Sequence, residues 1–433
     1  MMTRFKQNMS SLSAVADRPS DTNHRGASLS ARAPITVLIV VPGLDGGAAD
    51  AGALELSRAL CQAGHRAIVV SRAGRLVADV TMAGAEFVAL DVGSNNPATL
   101  LHNAAVLVRL ARERKVGVIH ALGRAAAWSA YLAARMRGVP FITSWYKGFR
   151  EQNVLKRVYN GVMARGDRVV AVSEQIAQLI HDRYGTPWER ITVLPSSIDL
   201  EQFDPAAVSR ERIDVVRRNW GVDRDTKVIL VTGRILRRKG HHVVVHAVRR
   251  LKDMGLKDFL CVFIGEDRGR THYTGELWDL VLATDTMDVV RIAPVADLPA
   301  AYAAAAVVVS AAIQPEGLQR AIAEAQAMAR PVIVSDLAAG SDVVLTPPAV
   351  PESRITGLRF HAGDDAALAG LLLRLFSMPE PTRRAIGARG RDWVLGHFNA
   401  ATVAAQALQL YGDVIGTEKA PALAPQTNKK TGI

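Results

Sequence analysis

Short apolar runs rich in β-branched residues recur along this chain, at 35–41, 67–71, 116–120, 141–145, 168–172, 191–194, 227–232, 260–265, 289–293, 306–310 and 331–335. Each has the length of one strand, and helical segments lie between them. Strands that read as continuous apolar runs, without alternation, are covered on both faces. Such strands interleaved with helices predict an α/β architecture built on parallel sheets. A chain of 433 residues accommodates two such sheets better than one.

The series is interrupted at 196–225, where turn and cap signals gather, among them Ser197-Ile-Asp199 and Asp204-Pro205. The expected organisation is an N-terminal strand–helix domain at 34–196 and a second at 197–399. A helical segment at 400–417 follows, available to dock back on the N-terminal domain. The Ser-rich arm 1–33 and the tail 418–433 have no hydrophobic period and are expected to be disordered.

Composition narrows the function classes. Hydrophobic residues make up 49% of the chain, ample for packed cores. Cys61 and Cys261 stand in separate apolar segments without metal-ligand spacing, so a reducing, cytoplasmic setting is expected. No secretory apolar stretch follows the polar N-terminus. The Ala-rich run 300–313 is too short to span a bilayer and reads as a short helix turning into a strand. A formal charge of +12 asks for an anionic partner. Aromatics are only 5% and no nucleic-acid motif appears, which favours a phosphate-bearing small molecule or an anionic lipid surface over nucleic acid.

Three loops carry candidate chemistry. In 314–334, Glu316 and Gly317 precede an Ala-rich helix that contains Glu324 and ends at Pro331. A helix N-terminus favours anions, and on one helix axis the two acids would stand about 12 Å apart at ~1.5 Å per residue. That spacing suits a ligand with a phosphate between two polar ends. The loop Thr232-Gly-Arg-Ile-Leu-Arg-Arg-Lys-Gly240 follows a strand, and Arg234 and Lys239 bracket it as phosphate ligands. Arg237 and Arg238 between them read as solvated charges. The loop 42–48, with Gly46 and Gly47, is either a phosphate site or a plain strand-to-helix turn, and it lacks the dinucleotide fingerprint.

Other features read more plainly. Asp223-Arg-Asp225 matches a metal-binding pattern of some sugar transferases but lies in a polar turn. His242 and His246 share a helix face with no third ligand, and Ser173 reads as an N-cap.

The order of the pieces adds to their content. A Gly-Gly loop, Ala171-Val-Ser-Glu174, Val193-Leu-Pro-Ser-Ser-Ile-Asp199, Gly233-Arg with Lys-Gly240, Asp297-Leu-Pro-Ala-Ala-Tyr302 and Glu316-x7-Glu324 follow one another. Over about residues 35–415 this set resembles glycosyltransferase family 4, retaining enzymes of the GT-B fold. His120-Ala-Leu-Gly-Arg124, Trp128-Ser-Ala, the segment 159–167, Glu324-Ala-Gln-Ala-Met328 and Arg330-Pro-Val-Ile333 resemble its branch for lipopolysaccharide and related surface glycans. The resemblance implies two Rossmann-like domains facing across a cleft, with a nucleotide-diphosphate sugar as co-substrate and a glycan or glycolipid as acceptor. No metal and no tightly bound cofactor are expected.

Residue by residue, the resemblance places Arg234 and Lys239 on the donor diphosphate, Glu324 on the nucleotide ribose and Glu316 on the donor sugar, with Arg234, Lys239 and Glu316 the catalytic set. Backbone of Gly317, Leu318 and Gln319 would line the sugar and phosphate. Gly265 and Ile292 would neighbour the base, and Gly46 and Gly47 would close on the phosphates. His120, Arg124 and Tyr146 fall on the acceptor side. The chain departs from the family pattern at Leu318-Gln319, Tyr146-Lys147, Ser196-Ser197 and Ala329. A nucleotide-binding protein without transfer activity, or a sugar-nucleotide epimerase, are the rival readings of the same pattern. Peripheral attachment to the inner face of an anionic membrane is a further expectation. It rests on 100–114, whose helical apolar spacing ends in cations; an ordinary packed helix would look the same.

Overall fold

The computed structural model describes residues 34–148, 154–267, 269, 271–294, 297–338 and 343–416. The arm 1–33 and the tail 418–433, expected to be disordered, lie outside the described residues, as does 417.

The first sheet has seven strands: β1 (Thr36–Val40), β2 (Arg66–Ser71), β3 (Glu86–Ala89), β4 (Val118–Ala121), β5 (Phe141–Trp145), β6 (Arg168–Ala171) and β7 (Ile191–Val193), in the order β3-β2-β1-β4-β5-β6-β7. The second has six: β8 (Lys227–Thr232), β9 (Phe259–Ile264), β10 (Val290–Ala293), β11 (Val307–Ser310), β12 (Val332–Ser335) and β13 (Leu358–Phe360), in the order β10-β9-β8-β11-β12-β13. Both are parallel, as in β1 beside β2 and β8 beside β9. The two Rossmann-like sheets of the GT-B fold are therefore present.

Every apolar run of the sequence became a strand. β3 and β13 were not foreseen. Glu-Phe-Val-Ala is only half-buried and Leu-Arg-Phe has a cation at its centre. Each lies at a sheet edge, so a single neighbour and a polar residue leave little apolar signal.

The second sheet is covered on both faces. Val228 and Leu230 point into one core, with Tyr302 and Ile322, while Ile229 and Val231 point into the other, with Val244 and Phe263. This is the two-residue alternation of a strand. Each such side chain contributes about 1.5–3 kcal/mol on full burial.

Local signals set the helix ends. Ser173 accepts a hydrogen bond from the Ile176 amide to start Glu174–Tyr184, and Gly185 in the left-handed region (φ 64°) stops it. Asp297 caps Leu298–Ala304, which gives way to β11, so the 300–313 run is a helix followed by a strand. In the C-terminal helix Ala400–Gly416, the Tyr411 hydroxyl lies 2.8 Å from His120 Nδ1 on β4.

Candidate functional site

In the second sheet the strand order reverses between β8 and β11. Ligands of open α/β sheets bind beyond the carboxyl ends of the strands at such a point. After β8 the chain runs through Gly233 (φ 124°) into a single turn, Arg237–Lys239. Gly240 then takes φ 73°, and a Cβ there would lie 1.8 Å from the Ala311 carbonyl oxygen. Glycine at 240 thus lets the turn close against the chain leaving β11.

That close approach gathers the charges. Lys239 Nζ donates to Glu316 Oε2 at 3.0 Å and to Gln319 Oε1 at 3.2 Å. The Arg238 guanidinium pairs with Glu316 Oε1. Arg238 therefore belongs to the site and is not a freely solvated charge; Arg237 pairs instead with Glu276 and lies over the Tyr273 ring. A one-turn helix points successive side chains in different directions, which separates the two arginines. Arg234 is exposed and makes no side-chain pair among the described residues.

Two cations, Arg238 and Lys239, thus hold one carboxylate, and Arg234 is near enough to Lys239 to act on its charge, a cationic excess suited to a diphosphate. Burial, then the guanidinium groups of Arg238 and Arg234, pull the Lys239 ammonium down to about 7. The Glu316 carboxylate opposes that pull. Gln319 is buried, and since an ammonium only donates, its carbonyl oxygen must face Lys239. Its Nε2 is left without a partner.

Glu316 lies in the loop ahead of the helix Arg320–Ala327, so the two acids do not stand on one helix axis. Glu324 is a turn inside that helix and 9% exposed. Tyr302, fully buried, donates its hydroxyl to Glu324 Oε2 at 3.0 Å and lies 3.0 Å from Thr232 Oγ1. With the tyrosine proton spent on the carboxylate, Thr232 is the donor of the second bond. Burial pushes the Glu324 carboxyl up, while Arg320 at 3.7 Å and the Tyr302 hydroxyl hold it down. Thr232 and Tyr302 escaped the sequence reading as site residues, although Tyr302 closes the Asp297–Tyr302 motif.

The remaining candidates have definite places. Gly265 ends β9 where a Cβ would lie 1.9 Å from the Gly233 carbonyl oxygen, a crossing of main chains. Ile292, on β10, and Leu318 are half-buried and pack on the two cores of the second sheet. Gly317 is half-buried ahead of the helix. In the first sheet, the Gly46 and Gly47 amides donate to Asp50 Oδ2 at 2.9 and 2.8 Å. These amides, expected to meet phosphate, already satisfy a carboxylate of their own helix. His120 is fully buried, its pKa pulled down to about 3 by burial, and Tyr411 engages its Nδ1. Its ring is a neutral core group with no surface to offer an acceptor. Arg124 is exposed at the start of Arg124–Arg137, and Tyr146 is half-buried just after β5.

Asp223 Oδ1 accepts from the Asp225 and Thr226 amides and from the Thr226 hydroxyl, so Asp223-Arg-Asp225 is a hydrogen-bonded turn. His242 Nδ1 lies 3.2 Å from the Tyr273 hydroxyl. Among the described residues no group of His, Cys, Asp and Glu is placed to hold a metal. No described helix is long and apolar enough to cross a membrane.

Two Rossmann-like sheets, one bearing a cationic site at its switch point, are the make-up of a GT-B glycosyltransferase. The chain belongs to glycosyltransferase family 4: models described as Glycosyltransferase Family 4 and Glycosyl transferases group 1 match residues 49–202 and 213–393. It is 29% identical over 266 residues to a D-inositol 3-phosphate glycosyltransferase of Salinispora tropica, a match covering 60% of this chain and 53% of that one. The chain thus spans about half the length of that relative. A protein of the same name from Xylanimonas cellulosilytica is 27% identical over 407 residues, 87% of this chain and 94% of the other. The structure of a glycosyltransferase from Rickettsia africae ESF-5 superposes with a TM-score of 0.79 at 26% identity, covering 89% of this chain and all of that one.

Proposed function

We propose that the chain transfers a sugar from a nucleotide-diphosphate sugar to a hydroxyl of a glycan or glycolipid acceptor, with retention at the anomeric carbon. The reading is carried by Arg238 and Lys239 paired with Glu316 at the switch point, with Arg234 acting on the Lys239 charge. When the anomeric C–O bond breaks, negative charge develops on the leaving diphosphate. Preorganised cations in a partly dehydrated site stabilise that charge, and loss of one such donor lowers the rate by roughly a hundredfold or more.

The diphosphate competes with Glu316 for Arg238 and Lys239. Its binding frees the Glu316 carboxylate to meet donor sugar hydroxyls. In this scheme Glu324, oriented by Tyr302 and Thr232, accepts from the ribose. No metal is needed in this scheme, because fixed cations do the neutralising.

A surface-glycan or lipopolysaccharide acceptor follows from the sequence motifs. A phosphorylated polyol is the second reading, favoured by the name shared by two relatives. The test incubates the protein with a panel of nucleotide sugars and three acceptors: extracted glycolipid, a soluble glycan and an inositol phosphate. A glycosylated acceptor supports the reading and chooses between the two. Nucleotide binding with no product on any acceptor would overturn it in favour of a binding protein, and an isomerised free donor would point to an epimerase.

A further inference from the structure

The large apolar side chains of this chain are mostly buried, but the short helix Val154–Asn160 inverts that rule. Val154, Leu155 and Val158 are 76, 80 and 57% exposed. Lys156 and Arg157 are exposed as well, so no side chain from 154 to 158 is turned into the core. At 100° per residue, Val154, Val158 and Leu155 fall within one apolar face, with the two cations around the rest of the turn. Single exposed apolar residues are ordinary; three on one turn are a patch.

The surroundings extend it. Arg157 Nη2 donates to the Arg183 carbonyl at 2.7 Å, fixing the turn beside the end of Glu174–Tyr184. In that helix His181 stacks on Trp188, ring centroids 4.8 Å apart, and Trp188 is 46% exposed. Tryptophan favours the boundary between apolar and polar phases. Arg183 is exposed here, as are the opposing acids Asp182 and Glu189, and the whole chain carries +12.

The stretch 100–114, expected as an interfacial helix, is otherwise disposed. Its helix, Pro97–Glu113, turns Asn103, Ala104, Leu107 and Ala111 inward, and its prominent exposed apolar residue is Leu101. It is a packed helix.

We propose that the Val154–Asn160 turn docks this protein on an anionic lipid surface, with Val154, Leu155 and Val158 dipping to headgroup depth. Three side chains are far too few for a stable protein interface, which buries roughly 1,200 Å² or more. They suffice for an interfacial contact when cations add attraction to anionic headgroups. The proposal deepens the glycolipid reading of the acceptor and rests on it for purpose, since such docking would bring the enzyme to a lipid-borne hydroxyl.

The test is flotation of the full chain with phosphatidylcholine vesicles, with and without phosphatidylglycerol, at low salt. The parent protein is expected to float with the anionic vesicles only. Val154→Ser, Leu155→Ser and Val158→Ser together should weaken that association at least tenfold with unchanged thermal unfolding. Lys156→Glu alone should weaken it about fivefold or more, and salt should weaken it further. Equal flotation of the triple variant and the parent, equal flotation with neutral vesicles, or no flotation of the parent would overturn the proposal. So would a change of oligomeric state in the triple variant, which would mean that a second copy covers the patch.

Transfer assays keep the two readings apart. Loss of transfer to vesicle-borne acceptor with full transfer to a soluble glycan supports docking. Absence of all transfer by the parent sinks the transferase reading and leaves flotation to decide the membrane question.

Discussion

Removing the Lys239 ammonium should change how donor affinity responds to pH. Lys239 Nζ donates to Glu316 and Gln319, so a diphosphate takes its third N–H and competes with Glu316 for another. Its pKa is pulled down to about 7, by burial first and then by Arg238 and Arg234. A diphosphate esterified at both ends gains no proton between pH 6 and 9, so its charge is constant there. At a pKa near 7, about 90% of the lysine is charged at pH 6 and only about 3% at pH 8.5, so affinity should fall by up to about thirtyfold across that span. His241, buried with its pKa pulled to about 4, stays neutral throughout and adds no slope.

The sign in stability is opposite. The folded pKa lies below that of the unfolded chain, so between about 7 and 10.5 the unfolded chain binds more protons. This group therefore makes unfolding harder as pH rises through that window. The assay is calorimetric titration with a sugar nucleotide at pH 6, 7 and 8.5, in two buffers of different ionisation enthalpy. Binding at pH 8.5 should take up a proton. Lys239→Met should lose about 10–150-fold in affinity at pH 6, the worth of a hydrogen bond to a charged group, and should bind without pH slope or proton uptake. An unchanged slope in Lys239→Met would refute the assignment of the titrating group to Lys239.

Three further outcomes are expected. Glu324→Ala should weaken nucleotide binding while Glu316→Ala mainly lowers turnover, read as KM against kcat; equal, small effects of both would remove the donor-site assignment. Tyr302→Phe deletes the hydroxyl that joins Thr232 to Glu324, and should cost about 1–3 kcal/mol in denaturant unfolding because a buried carboxylate loses its donor. Gly240→Ala places a methyl group 1.8 Å from the Ala311 carbonyl oxygen at φ 73°. Overpacking at ~1–3 kcal/mol and left-handed strain at ~1–2 kcal/mol should together lower the melting temperature and weaken donor binding; an unchanged melting temperature would show that the turn gives way.

The sequence by itself determined every element but the two edge strands β3 and β13. Burial on both faces writes a strand such as Val228 to Val231 as an unbroken apolar run, and caps such as Ser173 and Asp297 act within a few residues of themselves. Lys239 and Glu316 were legible as candidates because a charged residue in the loop after a strand or before a helix stands out locally, and Glu324 because of its spacing from Glu316. Strand order was not legible, and it alone brings the turn after β8 against the segment after β11. Pairings 78 and 22 residues apart, Arg238 with Glu316 and Tyr302 with Glu324, exist only once the sheet has formed. Burial was likewise decided by the tertiary structure. The same polar letters read as an acceptor-side ligand at His120 and as a site cation at Lys239. Packing made the first a neutral core ring, because burial removes the water that would solvate its charged form. It made the second an ammonium pulled down to about 7, by burial first and then by the Arg238 and Arg234 guanidinium groups.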